Sequence, residues 1–496
     1  MTASTKTAER TEIAPGLEIA RVVTGLWQVA DIERTTGLMD PDEGARALAG
    51  YLADGFDSFD MADHYGSAEL ILGRLRDRLA DGSIQAPADA RPIAFTKWCP
   101  EPGPMTAEVV RLAVERACER LRTDRIDLMQ FHWWLFEHPG WLDAMRELAR
   151  LKEEGLIGHL GVTNTDTDHL RVLVAEKIPV VTNQVCVSLL DRRATEEMTA
   201  FCRLHGIRLL AYGTLAGGFL SDRWLDAPEP AKIGDWSKMK YHRFIEAAGG
   251  WGVLQAILHA LAPIAARHQV SIANVATRWV MQQEAVGAVI IGARLGEREH
   301  RADNHRLSGF TLDGDDLARI DEALAKSTRI PGDCGDEYRR PPFLTASGDL
   351  SHHLDSIPPV YHAVPIDGRP GRLRIDSGSV WEPVCGYARA VRIGERILVS
   401  GTTATHGSGQ MIGKGDPAAQ TVYILDKIAA SIRSLGGSMA DVVRTRIYLR
   451  DAGQWEPVSR VHGHYFGEIR PANTLLEVGG LVGDYDVEIE AEAIVG

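Results

Sequence analysis

The residues able to do chemistry appear early in the chain. The segment FDMADHYG carries Asp60 and Tyr65, FTKW carries Lys97, and IDLMQFHW carries His132. A tyrosine hydroxyl has a pKa of about 10 and is a poor acid at neutral pH. A lysine ammonium beside it favours the phenolate and brings that pKa down, and an aspartate beside the lysine holds it charged and in place. A histidine opposite donates a hydrogen bond to a substrate oxygen and orients it. Together the four protonate an oxygen as it gains negative charge, which hydride delivery to a carbonyl requires.

Such a set needs elements that bring it together. Residues 1–330 contain eight short apolar runs, at 20–27, 56–62, 92–98, 126–133, 159–164, 180–188, 207–214 and 288–294. Stretches of helical spacing separate them. In 106–121, Val109, Leu112, Ala113, Arg116 and Ala117 trace a mostly apolar stripe; 141–155 ends in Gly155, a natural helix stop, and 166–177 opens on aspartates suited to a helix N-terminus. Near-continuous apolar strands alternating with helices predict a parallel sheet, and eight such units predict a closed α/β barrel of the (β/α)8, or TIM, type. The rival doubly wound sheet would announce a GxGxxG after its first strand, and the sequence has none there.

In that barrel the site lies at the C-terminal ends of the strands. Asp60 closes the second strand with Tyr65 in its loop, Lys97 the third and His132 the fourth. Asn164, Gln184, Tyr212 and Arg294 close the fifth to eighth. A lone lysine at a strand end means little. Seven consecutive strands ending in hydrogen-bonding or charged side chains converge them on one rim.

The chain has 496 residues, so two or three domains are expected. With 45% hydrophobic and 25% charged residues it has a globular mix. The net charge of −14 argues against nucleic acid or an anionic membrane as the main partner, and says little about a small-molecule substrate, because local potential can oppose global charge. MTASTKTAERTEIAPG lacks an apolar core of signal-peptide length, and no run approaches the ~20 apolar residues of a membrane span. Six cysteines without a CxxC pair make a disulfide framework or zinc site unexpected and fit a reducing cytoplasm. GSGQMIGKG (407–415) imitates a phosphate loop, but Ser408 and Gly415 break the pattern, so a hairpin turn is expected. HGH (462–464) and His352-His353 lack partners at ligand spacing, and no metal is expected.

In combination and order, the barrel motifs resemble the aldo-keto reductase superfamily over residues 1–330. FDMADHYG matches its Asp and Tyr motif, TKW its Lys, and IDLMQFHW its His. The resemblance implies a nicotinamide cofactor extended across the barrel mouth and a small aldehyde, ketone or sugar as substrate. It implies that Thr163, Asn164 and Gln184 hold the carboxamide, that Tyr212 stacks on the nicotinamide, and that the loop with Leu215 and Gly217 covers the pyrophosphate. IIGAR matches the family's eighth strand. Arg294 would then face the adenosine ribose, where a guanidinium pairs with a 2′-phosphate; NADP is favoured, with NAD possible. Two stretches depart from the family: Gly213-Thr214 replaces its usual Ser-Pro, and LGEREHRADN does not align with its Gln and Glu-Asn positions, which touches Glu299 and Asn304. The loop 215–250, with Trp224, Trp236 and Tyr241, is read either as a lid or as an insertion packing its own aromatics. Trp133, Trp134 and Phe136 are expected to divide between pocket wall and core.

Residues 331–372, rich in Pro, Gly and Asp, read as a connector laid over a surface, with Tyr338, Phe343 and Tyr361 as anchors. From 373 to 496 the order ββαβαββ describes a small α+β domain with helices on one sheet face. VSGTT, DVVRTRIYLRD, HYFGEIRPANTLLEV and VEIEAEAI resemble the reactive-intermediate deaminase (Rid) family. That resemblance implies a chorismate-mutase-like trimer with clefts between subunits and hydrolysis of imines or enamines. In its carboxylate-gripping PAR motif this chain has Asn473, and an amide cannot pair bidentately with a carboxylate. Glu488 falls near the family's water-positioning acid, and Tyr387 matches a cleft residue. The sheet's open face, with Val391, Val399 and Ile447 as candidates, would be covered in a homo-trimer.

Three functions follow: a carbonyl reductase whose tail builds an oligomer, a two-step enzyme whose tail hydrolyses an imine before the barrel reduces the ketone, and a redox-sensing barrel with vestigial catalysis. The intact tetrad speaks against the third and Asn473 against the second.

Overall fold

The computed structural model describes residues 8–29, 39–87, 90–234, 236–296, 300–339 and 357–496. Eight parallel strands form a closed barrel: β1 (Val22–Gly25), β2 (Ser58–Ala62), β3 (Ile93–Trp98), β4 (Ile126–His132), β5 (Ile157–Thr163), β6 (Val180–Cys186), β7 (Arg208–Tyr212) and β8 (Val286–Gly292). Closure comes from β8 pairing with β1, Val289 opposite Val22. Each strand is nearly all buried because the barrel lumen covers one face and the helices the other. Val23, Phe95, Leu128, Leu210 and Ile290 pack inward with Ile13, Leu17 and Ile19 of an N-terminal hairpin (Arg10–Ala14 and Leu17–Ala20). The hairpin closes one end, so the strands' C-terminal ends are left to form the open mouth.

The helix Ala107–Leu121 starts at Thr106, whose hydroxyl accepts from the Val109 amide, a cap contributing about 1 kcal/mol. Its buried residues are Val110, Val114, Ala117 and Leu121, whereas Val109 and Leu112 are exposed. The expected stripe is therefore displaced: both sets keep helical spacing, and packing against the barrel selected the branched valines one position on.

Residues 331–339 do not lie on a remote surface. They fold into the barrel mouth, where Tyr338 packs against Trp134. Of the other expected anchors, Phe343 lies outside the described residues, and the Tyr361 amide donates to Ser434 Oγ at 3.1 Å. The end of the connector joins the tail sheet, whose strand order is Val364–Pro365, Arg372–Ile375, Ala390–Ile393, Arg396–Thr402, Val487–Ile494, Val442–Leu449 and Ala472–Glu477. The last two are parallel neighbours and the other pairs antiparallel. GSGQMIGKG provides the turn of a small hairpin, Thr405–His406 with Gln410–Met411.

The helices Pro417–Ser434 and Trp455–Phe466 cover one face of this sheet. Val399 and Ile447, expected on the open face, are buried under the helices; strand alternation puts Leu398, Tyr448, Glu488 and Glu490 opposite them. The helix Pro417–Ser434 is buried almost all round because its second side packs on the barrel helix Thr167–Ala175. Polar pairs seam this junction: His406 with Asp143 at 2.7 Å, His464 with Asp168 at 2.7 Å, and the Gly413 amide donating to Glu176 at 2.8 Å.

Candidate active site

At the mouth, Lys97 Nζ donates to both carboxylate oxygens of Asp60, at 2.8 and 2.7 Å. Asp60 Oδ1 also accepts from Gln130 Nε2 at 3.1 Å and Gln184 Nε2 at 2.7 Å. A buried ion pair is tolerable when its remaining hydrogen-bonding capacity is filled, as here. The Lys97 ammonium lies 4.9 Å from the centre of the Tyr65 ring, and Trp27 packs edge-on against that ring at 4.9 Å. The expected aspartate, lysine and tyrosine therefore stand in sequence, with the aspartate fixing the lysine.

His132 is buried beside them. Burial, together with the charges of Arg339, Lys97 and Lys240, holds its pKa well below the usual imidazole range. A neutral imidazole can orient a substrate oxygen through its one N–H but has no second proton to give up at neutral pH. Its Nδ1 faces Cys99 Sγ at 3.8 Å, its Nε2 lies 3.5 Å from Asn164 Nδ2, and Trp134 packs on the ring at 4.1 Å. Trp134 is thus pocket wall, and Trp133 and Phe136 belong to the core.

These groups open into a cavity of about 780 Å³. Thr163, Asn164, Gln184, Tyr212, Leu215, Gly217 and Arg294 all line it. Asn164 has a left-handed backbone, φ +50°, which asparagine tolerates. Its amide donates to the Gln184 carbonyl at 2.9 Å and its side chain accepts from the Tyr212 hydroxyl at 2.8 Å. Gln184 also donates to Gln130 Oε1 at 3.0 Å, so its amide braces Asp60 as well as facing the cavity.

Does the cavity fit a dinucleotide? Three buried polar atoms on its wall, Thr163 Oγ1, Gln28 Oε1 and Asn274 Oδ1, have no hydrogen-bond partner among the described residues. Buried polar atoms are ordinarily paired, and a bound polar group would complete these. Gly213 (φ +69°) and Gly217 (φ +65°) allow the loop after β7 to pass against Tyr241, which a Cβ at either position would strike. The residues fit the group. Arg294, His300, Asp303 and Asn304 also line the cavity, while Glu299 lies outside the described residues. The segment 215–250 is partly the helix Trp236–Ala247, which contributes Lys238, Lys240 and Tyr241 to the wall. Its Trp224 packs with Phe219 and Trp251, and the Trp236 side chain lies outside the described ones.

Sequence reading missed Lys240, Tyr338, Arg339 and Gln28 as site residues. The only signal was the density of polar groups in GDCGDEYRR, inside a stretch that otherwise reads as a connector. It also missed a trio near the mouth, Asp63, His64 and Cys99, whose ligand atoms lie within 4.8 Å of one another.

In the tail, Tyr387 is partly exposed and the guanidinium of Arg389 lies 5.9 Å from its ring. Arg389 Nη2 donates to the Gly401 carbonyl at 2.6 Å, and the Glu488 carboxylate rests where a Cβ on Gly401 would be. Burial raises the Glu488 pKa, and Arg389 opposes that rise. Asn473 is not with them. It pairs in register with Thr445, whose hydroxyl donates to Asn473 Oδ1 at 3.2 Å, on the helix-covered face; Glu488 pairs with Tyr448 on the other.

Residues 21–325 match the family profile described as Aldo/keto reductase family, and residues 379–495 the one described as Endoribonuclease L-PSP. An uncharacterized protein of Streptomyces coelicolor is 39% identical over 121 residues, 24% of this chain and 90% of that protein. The aldo-keto reductase YhdN of Bacillus subtilis is 26% identical over 354 residues, 67% of this chain and 98% of that one. The solved structure of a glycerol dehydrogenase from Gluconobacter oxydans shares the fold, with a TM-score of 0.51 at 22% identity, covering 66% of this chain and 98% of that one.

Proposed function

Because the chain belongs to the aldo/keto reductase family and its tail to the Rid type, we propose that it is an NADP-dependent carbonyl reductase with Tyr65 as general acid. The observation that carries this reading is the buried Asp60–Lys97 pair under Tyr65, with the neutral His132 at the same mouth. When bound, NADPH supplies a hydride to the carbonyl carbon. Tyr65 supplies the proton to the oxygen, so that carbonyl, NADPH and one proton become alcohol and NADP+. Lys97 favours the phenolate this leaves, and Asp60 keeps Lys97 charged and in place. His132 and Asn164 orient the oxygen, Tyr212 offers a ring to the nicotinamide, and Thr163 offers its hydroxyl oxygen to the carboxamide. Arg294, after the eighth strand on the cavity wall, is the residue assigned to a 2′-phosphate; NAD would lack that contact.

The tail is read as an assembly module that builds a homo-trimer in a reducing cytoplasm. A packed barrel on its helical side and, on the other, a sheet face covered by no element among the described residues support that reading. The two-step enzyme is the second reading. The Tyr387, Arg389 and Glu488 grouping favours it, and the placement of Asn473 on the opposite face speaks against it. The deciding experiment follows NADPH oxidation by the full chain against aldehydes, ketones, sugars and oxo acids. Absence of turnover across the panel would remove the reductase reading.

A further inference from the structure

Asp63 and His64 follow β2 and stand just before Tyr65, and Cys99 follows β3. Backbone and side-chain hydrogen bonds stitch the two loops together. The Asp63 amide donates to the Lys97 carbonyl at 2.9 Å, and the Cys99 amide donates to Asp63 Oδ2 at 3.3 Å. Arg120 Nη1 donates to the Asp63 carbonyl at 3.1 Å. The free Asp63 oxygen, Oδ1, meets His64 Nδ1 at 2.9 Å. The outcome is a carboxylate, an imidazole and a thiol whose ligand atoms lie within 4.8 Å of one another. Asp63 and Cys99 are half-buried and His64 is exposed, so the trio is held in place from behind and open to solvent in front.

A hydrogen-bonded aspartate and histidine explain two of these groups. The thiol within reach of both completes a ligand set. One sulfur, one nitrogen and one carboxylate oxygen suit a borderline-soft divalent cation, zinc above all. Calcium and magnesium take more oxygens than this set offers. Three protein ligands leave a fourth position open. The charges also balance, because coordination removes the thiol proton. A divalent ion with the Asp63 carboxylate and the Cys99 thiolate is neutral, so the Lys97, Lys240 and Arg339 charges around neighbouring His132 meet no added net charge. Nor does an arginine compete for the carboxylate. Among the described residues the ion-pair partner of Asp63 is His64, and Arg120 pairs with Glu69 instead.

We propose that Asp63, His64 and Cys99 bind a zinc ion at the rim of the mouth, and that the bound ion inhibits the reductase. The binding stands on the ligand geometry; its effect rests on the reductase reading above. His64 lines the cavity, and its ring meets the Tyr65 ring edge-on at 4.9 Å. Cys99 Sγ lies 3.8 Å from His132 Nδ1. An ion held by both ties down the neighbours of the two residues assigned to the substrate oxygen, and its open position draws a carbonyl away from them. Ligand spacing in the sequence is silent on this site, because Cys99 and Asp63 are 36 positions apart on separate loops.

Cobalt(II), a coloured stand-in for zinc, is the probe. Added to the full chain after chelation and dialysis, it should give a thiolate-to-cobalt charge-transfer band that saturates at one ion per chain and is bleached by zinc. Cys99→Ser should lose the band, and Cys385→Ser, which alters an exposed thiol elsewhere, should keep it. His64→Gln should weaken cobalt binding by about tenfold or more; His64 is exposed, so this variant tests the site without disturbing the core. Zinc should lower NADPH-dependent turnover, EDTA should restore it, and Cys99→Ser and His64→Gln should each raise the zinc concentration for half-inhibition by about tenfold or more. Absence of the band, a band that survives Cys99→Ser, zinc bound without loss of turnover, or equal inhibition of parent and both variants would each overturn the proposal. Turnover of no carbonyl at all would overturn the reductase reading, and the cobalt spectra would still decide the site.

Discussion

His169 of the barrel and Asp426 of the tail helix are hydrogen-bonded at 2.9 Å across the junction between the two halves of the chain. The other ring nitrogen of His169 meets Asp166 at 2.7 Å, and Phe136 stacks on the imidazole at 3.6 Å. Burial by itself would push the histidine's pKa down. Asp166 and Asp426 more than reverse this and raise it to about 10. The group is raised in the folded state, so its stabilisation is complete below the unfolded pKa of about 6.5 and is lost as pH rises through about 10.

The first prediction is therefore a junction that weakens in base. Thermal melts between pH 6 and 11 should show stability falling progressively from about pH 6.5 to about 10 and level above, and Asp426→Asn should lower Tm at pH 7 and end that fall at a lower pH. Removing a charge-assisted hydrogen bond of this kind should cost about 2 kcal/mol. A parent melt independent of pH up to 11 would contradict the assignment.

Tyr65→Phe should lower kcat by roughly 10²–10⁴-fold, the usual contribution of a general acid, while NADPH affinity, read by quenching of protein fluorescence, falls much less. Near-parental kcat on a substrate the parent reduces would exclude Tyr65 as the acid.

Cofactor choice tests Arg294. The ratio of kcat/KM for NADPH over NADH should favour NADPH in the parent and drop by about tenfold or more in Arg294→Ala, corresponding to a charge-assisted contact of about 1.5–3 kcal/mol. An unchanged ratio would move the 2′-phosphate to another residue.

Asp333 begins the segment that carries Tyr338, and its carboxylate accepts from the Thr167 amide at 2.7 Å. Burial, helped by the charge of Asp166, raises its pKa to about 7. A raised carboxyl pKa means the folded state holds the proton more tightly, so stability falls as pH rises from about 4 to about 7 and is level above. Asp333→Asn should flatten that part of the pH–Tm curve and raise Tm at pH 8 by a few degrees. No difference between variant and parent at pH 8 would show that the carboxylate carries no such strain.

Light scattering of the full chain should give three times the 54.3 kDa of one chain. The full chain should also leave 2-iminoacid hydrolysis at background, because Asn473 faces away from Glu488 within one chain and offers no cation. A monomer would refute the assembly role, and clear hydrolysis would point to Arg389 as the replacement cation.

The sequence by itself determined the barrel and where Asp60, Tyr65, Lys97 and His132 stand in it. Each strand is a short apolar run between helices, and each candidate side chain sits at a strand's C-terminal end, so one periodicity rule fixes both element and direction. It determined the ββαβαββ frame of the tail for the same local reason, but not the strand Arg372–Ile375, the short helix Trp381–Cys385 or the strands of the small hairpin that add to it. Tertiary structure alone decided what faces what. Val110 and Val114 rather than Val109 and Leu112 face the barrel because two apolar stripes competed on one helix. Val399 and Ile447 went under the helices because strand alternation leaves the choice of face to packing. Tyr338 entered the mouth and met Lys240, 98 residues earlier, through a segment whose composition reads as linker. Asp426 reached His169 across 257 residues. Local propensity and spacing act over a turn or a strand, so pairs this distant leave no pattern in the sequence; they exist only once the chain has closed on itself.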